Sequence, residues 1–214
     1  MKLLDLIYPP RCAFCHSFVK NSKIRVCPDC EKSLPFIRDG AVQKPRFIAA
    51  AAAVFRYEND VKNSLHRYKF AGCTGYAKAY APFLAETIRR EFGDEYDVLT
   101  WVPISRKRLH KRGYDQAELL ARAVGAILGL KPVRTLDKIR DNPPQSRAGN
   151  EEKRRANVAG VYRVHCPERV AGKRILLLDD IYTTGSTVSE CARMLGLAGA
   201  DKVLCAAVAR AGGG

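Results

Sequence analysis

Two adjacent carboxylates stand at the end of the most apolar run in the chain. Residues 175–187 read ILLLDDIYTTGST, so four apolar residues lead directly to Asp179 and Asp180. Two like charges in contact repel each other, and the repulsion grows where water is partly excluded. We therefore expect these carboxylates to meet a ligand that carries hydroxyls or positive charge.

The segment after the carboxylates has the composition of a phosphate-binding loop. A helix N-terminus offers unpaired backbone N–H groups and a partial positive charge, and a glycine lets the backbone approach closely. Carboxylates suit a diol and the loop suits a phosphate, so one ribose 5-phosphate would satisfy both. A strand-to-helix turn with an aspartate cap would explain the loop but not the paired carboxylates. The predicted loop residues are Thr183, Thr184, Gly185, Ser186 and Thr187.

Four of the eight cysteines form two CxxC pairs with eleven residues between them, at Cys12, Cys15, Cys27 and Cys30. Two such pairs complete a tetrahedral thiolate site, which predicts zinc in a closed, structural role. A segment this short buries little apolar surface, so metal binding would supply much of its folding energy. A redox dithiol is the alternative. His16 is adjacent to a ligand and is interpreted as a bystander, and the other cysteines are scattered singly.

The charge of the chain is strongly basic. Its 214 residues include 37 Lys and Arg against 22 Asp and Glu, a formal net charge of +15. This surplus favours polyanionic partners such as nucleic acid, phosphorylated metabolites or anionic membrane, with a merely solubilising surface as the alternative. No apolar run reaches the length of a membrane span, and the N-terminus lacks an export signal. We therefore expect a cytoplasmic protein without a membrane span.

The element pattern predicts an α/β protein with two parts. A polar stretch with Pro35, Gly40 and Pro45 places the boundary near residue 45, giving a zinc-binding module over 1–45 and a larger domain over 46–214. In the larger domain strands alternate with helices, which indicates a mostly parallel sheet covered on both faces. The alanine-rich segment 47–58 is interpreted as a strand, although it could equally suit a helix. The other predicted strands include 98–104, a short one near 133–139, an extended segment at 158–164, and strands at 174–180 and 202–210. The predicted helices lie within 59–92, with a break at 71–75, and over 117–129 and 185–198, which Gly129 and Gly199 are expected to end.

A basic run, SRKRLHKRGYDQ, follows the strand predicted at 98–104. If the run is helical, its arginines at positions 108 and 112 share one face and present two guanidinium groups to phosphate oxygens. Such groups beside an aromatic ring suit either a pyrophosphate or single-stranded nucleic acid. Both readings stay open. The candidate residues are Ser105, Arg106, Lys107, Arg108, Arg112 and Tyr114.

The segment ILLLDDIYTTGST resembles the motif with which type I phosphoribosyltransferases bind phosphoribosyl pyrophosphate (PRPP). The resemblance implies that Asp179 and Asp180 hold the ribose 2- and 3-hydroxyls and that the loop 183–187 holds the 5-phosphate. It also implies Mg²⁺ bound with the pyrophosphate, whose loop would begin at Ser105, and a flexible hood over 141–157. Tyr182 departs from the apolar residue more usual in the motif.

Three further stretches resemble the ComF/ComFC family, whose members place a four-cysteine zinc module before a phosphoribosyltransferase domain. RLHKRGYDQ matches one signature, and Tyr68-Lys69-Phe70 with Gly72 matches an early turn. Ala148-Gly149 stand where the family tends to carry a bulkier apolar residue. The third stretch, QSRAGNEEKRRANVAGVY, matches the family's hood segment, with Gln145, Arg154, Arg155 and Asn157 at the corresponding places.

The family resemblance implies a role in DNA uptake or processing during natural competence. PRPP, single-stranded DNA bound without sequence preference and a competence helicase would be the partners. The alternative is an active phosphoribosyltransferase of nucleotide metabolism that transfers ribose 5-phosphate to a nitrogen acceptor. No residue stands out as the base for such an acceptor, so the catalytic residues stay unknown and enzymatic activity stays an open question.

Overall fold

The computed structural model describes residues 9–21, 23, 25–38, 45–141 and 160–212. Its strands are β1 Ala50–Arg56, β2 Val98–Trp101, β3 Leu136–Lys138, β4 Tyr162–Val164, β5 Arg174–Tyr182 and β6 Lys202–Arg210. Its helices are α1 Pro28–Ser33, α2 Asn59–Phe70, α3 Ala77–Phe92, α4 Arg106–Arg112, α5 Gln116–Leu128 and α6 Ser186–Leu197. Short 3₁₀ turns lie at Thr74–Tyr76 and Pro167–Arg169.

The central sheet is parallel and has four strands in the order β1-β6-β5-β2. This confirms the predicted α/β class and the type I phosphoribosyltransferase fold. The alanine-rich segment forms β1, as predicted, because five of its seven residues are buried between layers and small side chains let those layers approach. Glycine ends the helices α5 and α6 as expected, since Gly129 and Gly199 adopt positive φ angles of 74° and 86°.

Three strands differ from what the sequence predicted. β5 continues to Tyr182 instead of ending at the carboxylates, because its ladder with β6 extends to the pair Tyr182↔Arg210. β3 and β4 leave the central sheet and pair antiparallel with each other, from Leu136↔Val164 to Lys138↔Tyr162. The segment predicted as a hood therefore connects the two strands of a hairpin.

Helices cover the two faces of the sheet in a way that opens a crevice between β2 and β5. Apolar residues of α2, α3 and α5 pack with Leu176 and Leu178 on one face, whereas α6 and the β3–β4 hairpin pack with Ile175 and Leu177 on the other. α5, which lies between β2 and β3 in the chain, and α6, which follows β5, thus lie on opposite faces. Ligands of parallel α/β sheets bind in such a crevice, at the carboxyl ends of the strands.

The cysteine-rich module packs directly on the larger domain. The buried ring of Phe14 makes edge-to-face contacts with Phe55, at 5.4 Å between centroids, and with Tyr80, at 5.6 Å. The hydroxyl of Ser64 on α2 donates to the backbone oxygen of Ala13 at 2.5 Å. The module and the sheet therefore share one apolar core. Among the helices that the structure describes, none is long and apolar enough to cross a bilayer.

Candidate functional site

The acidic pair lies at the crevice between β2 and β5. The ladder between these strands ends at Trp101↔Leu178, so Asp179 and Asp180 are the first residues of β5 beyond it. They are only 8% and 3% exposed. Apolar residues on both sides hold β5 in the middle of the sheet, and the carboxylates are buried because the strand continues past them.

Asp180 has a cationic partner from another element. The ammonium Nζ of Lys69, in the last turn of α2, lies 2.9 Å from Asp180 Oδ2. Within the described part of the chain, this oxygen is buried without a directed hydrogen bond, so the contact is an ion pair. A charge placed in this way keeps Asp180 compatible with burial while leaving an acceptor for a ligand hydroxyl.

Asp179 is also buried and faces the other side of the sheet, toward Cys191. Its Oδ1 accepts the backbone N–H of Asp180 at 2.8 Å. Burial, followed by the negative charge of Asp180, raises the pKa of Asp179 well above its usual range. Burial and then the Asp179 charge also raise the pKa of the Cys191 thiol, which is on α6. The two neighbouring carboxylates thus diverge, one toward α2 and one toward α6.

The loop after β5 leaves the N-terminus of α6 open. Gly185 occupies the N-cap with a φ of 74° and provides no side-chain cap, so the first-turn amides are available to an anion. A Cβ at Gly185 would lie 2.6 Å from the hydroxyl oxygen of Tyr182. The tyrosine that departs from the motif therefore packs beneath the loop. Thr184 and Ser186 share a hydrogen bond of 2.8 Å between their hydroxyls.

The basic run forms α4, and its first turn faces the β3–β4 hairpin. The Ser105 Oγ caps this helix by accepting the Arg108 backbone N–H at 3.3 Å, and it donates to Asp141 Oδ1 at 2.8 Å. Arg108 Nε lies 3.4 Å from the same carboxylate oxygen. Asp141 therefore links the predicted pyrophosphate loop to the end of β3.

The last turn of α4 engages a different part of the molecule. Arg112 donates to Gln116 Oε1, and its guanidinium carbon lies 5.2 Å from the centroid of the Phe70 ring. Tyr114 is half-buried and its hydroxyl donates to the backbone oxygen of Tyr68. The run is helical, the condition under which the arginines at 108 and 112 were expected to share a face, but their contacts are with different groups.

A cleft of about 380 Å³ opens between α4 and the β3–β4 hairpin. Its lining includes Ser105, Arg106 and Lys107 but neither carboxylate of the acidic pair. Lys138 connects the two regions, because it lines the cleft and also interacts electrostatically with Asp179. Burial and the nearby Arg108 charge lower the pKa of the Lys138 ammonium. The cleft thus adjoins the acidic pair from the hairpin side.

Some predicted site residues are not described by the structure, and some residues near the site were not predicted. The hood residues Gln145, Arg154, Arg155 and Asn157 lie outside the described residues. Sequence reasoning did not assign a site role to Lys69, Lys138 or Asp141. Lys69 belongs to the stretch Tyr68-Lys69-Phe70, whose resemblance to the family was noted, whereas Lys138 and Asp141 lie in no local motif.

The four cysteines of the CxxC pairs converge as predicted. Their sulfur atoms all lie within 4.8 Å of one another, and the Sγ atoms of Cys15 and Cys27 are 3.7 Å apart. Thiolates bound to one tetrahedral zinc at about 2.3 Å would have similar separations. Cys27 also caps α1, and its N–H donates to Cys12 Sγ at 3.4 Å. The donor set and its geometry fit a structural zinc ribbon, and His16 does not belong to the cluster.

Comparison with known proteins gives two family matches and a set of relatives. Residues 3–42 match a double zinc ribbon domain, and residues 109–214 match a phosphoribosyl transferase domain. The chain is 29% identical to competence protein ComFC of Bacillus subtilis over 170 residues, which cover 79% of this chain and 65% of that protein. It is 28% identical to competence protein ComFC of Streptococcus pneumoniae, and the alignment covers 90% of this chain and 84% of that protein. For the DNA utilization protein YhgH of Salmonella typhimurium the identity is 29%, covering 86% and 83%.

Two solved structures align with part of the chain. The glutamine PRPP amidotransferase of B. subtilis, complexed with ADP and GMP, aligns with a TM-score of 0.43 and 24% identity, covering 63% of this chain and 26% of that one. An adenine phosphoribosyltransferase aligns with a TM-score of 0.39 and 13% identity, covering 78% and 85%. The chain spans 65% of the B. subtilis ComFC protein, slightly less than two thirds of its length.

Proposed function

Because the chain belongs to the ComF/ComFC family, we propose that it binds PRPP at the acidic pair and acts on DNA during uptake or processing in natural competence. Two relatives are named competence proteins and another is named a DNA utilization protein. The proposed partners are PRPP with Mg²⁺, single-stranded DNA and a competence helicase, and the proposed location is the cytoplasm.

The observation that carries the PRPP proposal is the pairing of two features at one strand end. Buried carboxylates at Asp179 and Asp180 are followed within a few residues by the uncapped N-terminus of α6. We assign the ribose hydroxyls to the carboxylates and the 5-phosphate to residues Thr183 to Thr187. A phosphate there would accept hydrogen bonds from first-turn amides, and the positive end of the helix dipole would favour its charge.

The residues around the acidic pair fit a magnesium–pyrophosphate group. Mg²⁺ prefers oxygen ligands, and Asp180 Oδ2 is a buried carboxylate oxygen with no directed hydrogen bond among the described residues. When bound, the ion would neutralise part of the pyrophosphate charge. Ser105, Arg106 and Lys107 would hold the pyrophosphate oxygens, because they line the adjacent cleft. Closure by hood residues 145, 154, 155 and 157 would exclude water from the ribose carbon.

The DNA part of the proposal is supported by charge. The net charge of +15 exceeds what a small anionic metabolite requires, and the sequence of α4, RKRLHKR, contains no acidic residue. Three basic residues and one histidine of this helix are exposed, namely Arg106, Lys107, Lys111 and His110. Contacts from such side chains to phosphates carry no sequence information, so the proposed DNA affinity is independent of sequence.

The test is calorimetric titration of PRPP with Mg²⁺ into the purified protein, with and without saturating single-stranded DNA. We expect the unmodified protein to bind PRPP in the absence of DNA. The variant in which Asp179 and Asp180 are both replaced by asparagine should not bind PRPP, since the ribose diol would lose both carboxylate acceptors. Thr183→Val should weaken binding by about tenfold, the scale of one hydrogen bond to a charged group. Glu190→Gln, on the same helix α6 but away from its N-terminus, is the control.

Retained PRPP affinity in the double asparagine variant would contradict the site assignment. Exclusion of PRPP by DNA would show that the two ligands share α4, whereas independent binding would separate the two surfaces. Pyrophosphate release from PRPP in the presence of nitrogen acceptors is the separate assay for transferase activity. Release of pyrophosphate would favour the alternative, an active phosphoribosyltransferase, over a protein that only binds PRPP.

A further inference from the structure

The end of α2 carries an exposed aromatic ring that the phosphoribosyl site does not use. Phe70 is 66% exposed, although it directly follows Lys69, whose ammonium pairs with the buried Asp180. Single exposed apolar residues are common on protein surfaces and need no explanation by themselves. This phenyl ring, however, has a basic and a protonatable side chain beside it.

Two cationic or protonatable groups flank the Phe70 ring. The imidazole of His66 lies 4.8 Å from it between centroids, and the guanidinium carbon of Arg112 lies 5.2 Å from its centroid. Gln116 fixes Arg112 by accepting a hydrogen bond from it. Lys62, His66 and Phe70 are spaced four residues apart and are all exposed, so they form one stripe along α2. The ring still has most of its surface free.

The segment that follows Phe70 leads to a second basic feature. Residues 72–75 line a cleft against the cysteine-rich module, and Arg11 and Arg25 line its other side. Among the described residues of this lining, the two arginines are the only charged ones. The guanidinium of Arg11 lies 4.0 Å from the centroid of the exposed Phe18 ring. Phosphates that leave the Phe70 surface along this segment would therefore meet positive charge and no carboxylate.

We infer that Phe70 is a stacking platform for one base of single-stranded DNA, with Arg112 and Lys62 paired to the flanking phosphates. The inference rests on the DNA affinity proposed above and assigns a surface to it. Every base has a π-face, so stacking on a phenyl ring tolerates any sequence, and guanidinium groups nearby add charge and cation–π attraction. Duplex DNA keeps its bases stacked on one another and cannot use such a platform.

In this assignment Phe70, and not Tyr114, is the aromatic residue on which a base stacks. The Tyr114 ring is half-buried and its hydroxyl is committed to the backbone oxygen of Tyr68. The Phe70 ring has no polar atom that needs a hydrogen bond, and it is 66% exposed. The base platform thus comes from α2, whereas α4 contributes the arginine.

The experiment measures fluorescence anisotropy of a labelled oligo-dT at fixed salt. Phe70→Ala should weaken binding roughly 5- to 150-fold, the range for loss of one base stacked on an aromatic side chain. Phe70→Tyr should bind like the unmodified protein, and Phe70→Leu should resemble Phe70→Ala because it keeps apolar area but lacks a π-face. Unchanged zinc content and thermal unfolding would verify that these exposed substitutions preserve the fold.

Phe47→Ala is the matched control. Phe47 is also an exposed phenyl with a guanidinium near its ring, at 4.8 Å from Arg46, but it precedes β1 at the amino ends of the strands. Equal binding by the Phe70→Ala and Phe47→Ala variants would overturn the platform while leaving the DNA affinity itself intact. Failure of the unmodified protein to bind any oligonucleotide would overturn both proposals. Tighter binding of oligo-U than oligo-dT, or competition by mononucleotides as effective as by oligo-dT, would also overturn the assignment to DNA strands.

Discussion

At the scale of single residues, the acidic pair combines two carboxylates in unlike environments. Asp180 is compensated by Lys69 at 2.9 Å, whereas Asp179 accepts the backbone N–H of Asp180 and burial still raises its pKa. The protein therefore bears the cost of Asp179 in its folded state. Functional sites commonly carry such destabilising groups, and ligand binding would compensate this one.

Replacement of Asp179 by asparagine should stabilise the protein at neutral pH while removing PRPP binding. The pKa of Asp179 is higher in the folded protein than in the unfolded chain. Its burial therefore does not destabilise the fold at pH values below the unfolded-state pKa of Asp179, and it becomes destabilising as the pH rises above that pKa. We expect the free energy of unfolding to increase by about 1–2 kcal/mol at pH 7, the scale of an uncompensated buried polar group. The gain should shrink toward pH 4. Thermal unfolding of both proteins across this pH range measures it.

Asp97→Asn is the contrasting variant for the same measurement. Arg174 lowers the pKa of the exposed Asp97 to about 2, so this substitution removes a favourable charge and should not stabilise the protein. A loss of stability at pH 7 in the Asp179→Asn variant would contradict the interpretation of its burial.

At the scale of elements, α2 connects the zinc ribbon with the acidic pair. In its middle, Ser64 and Arg67 donate to the backbone oxygen of Ala13, which lies between two zinc ligands, at 2.5 and 3.3 Å. In its last turn, Lys69 reaches Asp180. The cysteine knuckle therefore contributes to the position of the helix that supplies the counter-ion of Asp180.

Cys27→Ser should release zinc and loosen α2 as well as the module. Loss of the knuckle would free its contacts with Ser64 and Arg67, each hydrogen bond contributing about 0.5–1.5 kcal/mol. Hydrogen exchange of the α2 amides should therefore become roughly tenfold faster or more, together with a loss of bound zinc measured colorimetrically. Cys73→Ser, which removes a thiol outside the cluster, should change neither. Unchanged protection of α2 in a zinc-free protein would show that the helix is independent of the ribbon.

At the scale of the whole molecule, the charge of +15 is spread over both parts of a single packed body. The basic surfaces include α4, the exposed stripe of α2 and the cleft lined by Arg11 and Arg25. A polyanion that crosses from the module to the larger domain would therefore contact positive charge on each.

Binding of single-stranded DNA should accordingly weaken steeply with salt. Three to five phosphate contacts would give a slope of about −2 to −3.5 in a plot of log K against log salt concentration. Lys107→Gln should reduce the magnitude of that slope by about 0.7, the contribution of one contact, with little dependence on base composition. Anisotropy titrations between 50 and 300 mM salt measure both; a slope near zero would exclude electrostatic binding.

The sequence alone was sufficient for features that neighbouring residues encode. The cysteine spacing, the apolar strand before Asp179, the break between two helices at 71–75 and the glycine that ends α5 were all predictable, because local geometry and periodicity specify them. The antiparallel pairing of β3 with β4 was not, since short strands do not specify their partners.

Only the tertiary structure decided which side chains meet. Lys69 and Asp180 are distant in sequence yet adjacent in space, the arginines at 108 and 112 take separate partners, and Phe70 instead of Tyr114 remains exposed. Such contacts depend on how α2 and α4 pack against the ends of the strands. The sequence therefore determined the chemistry available to this protein, and the packing of its layers determined where that chemistry is assembled.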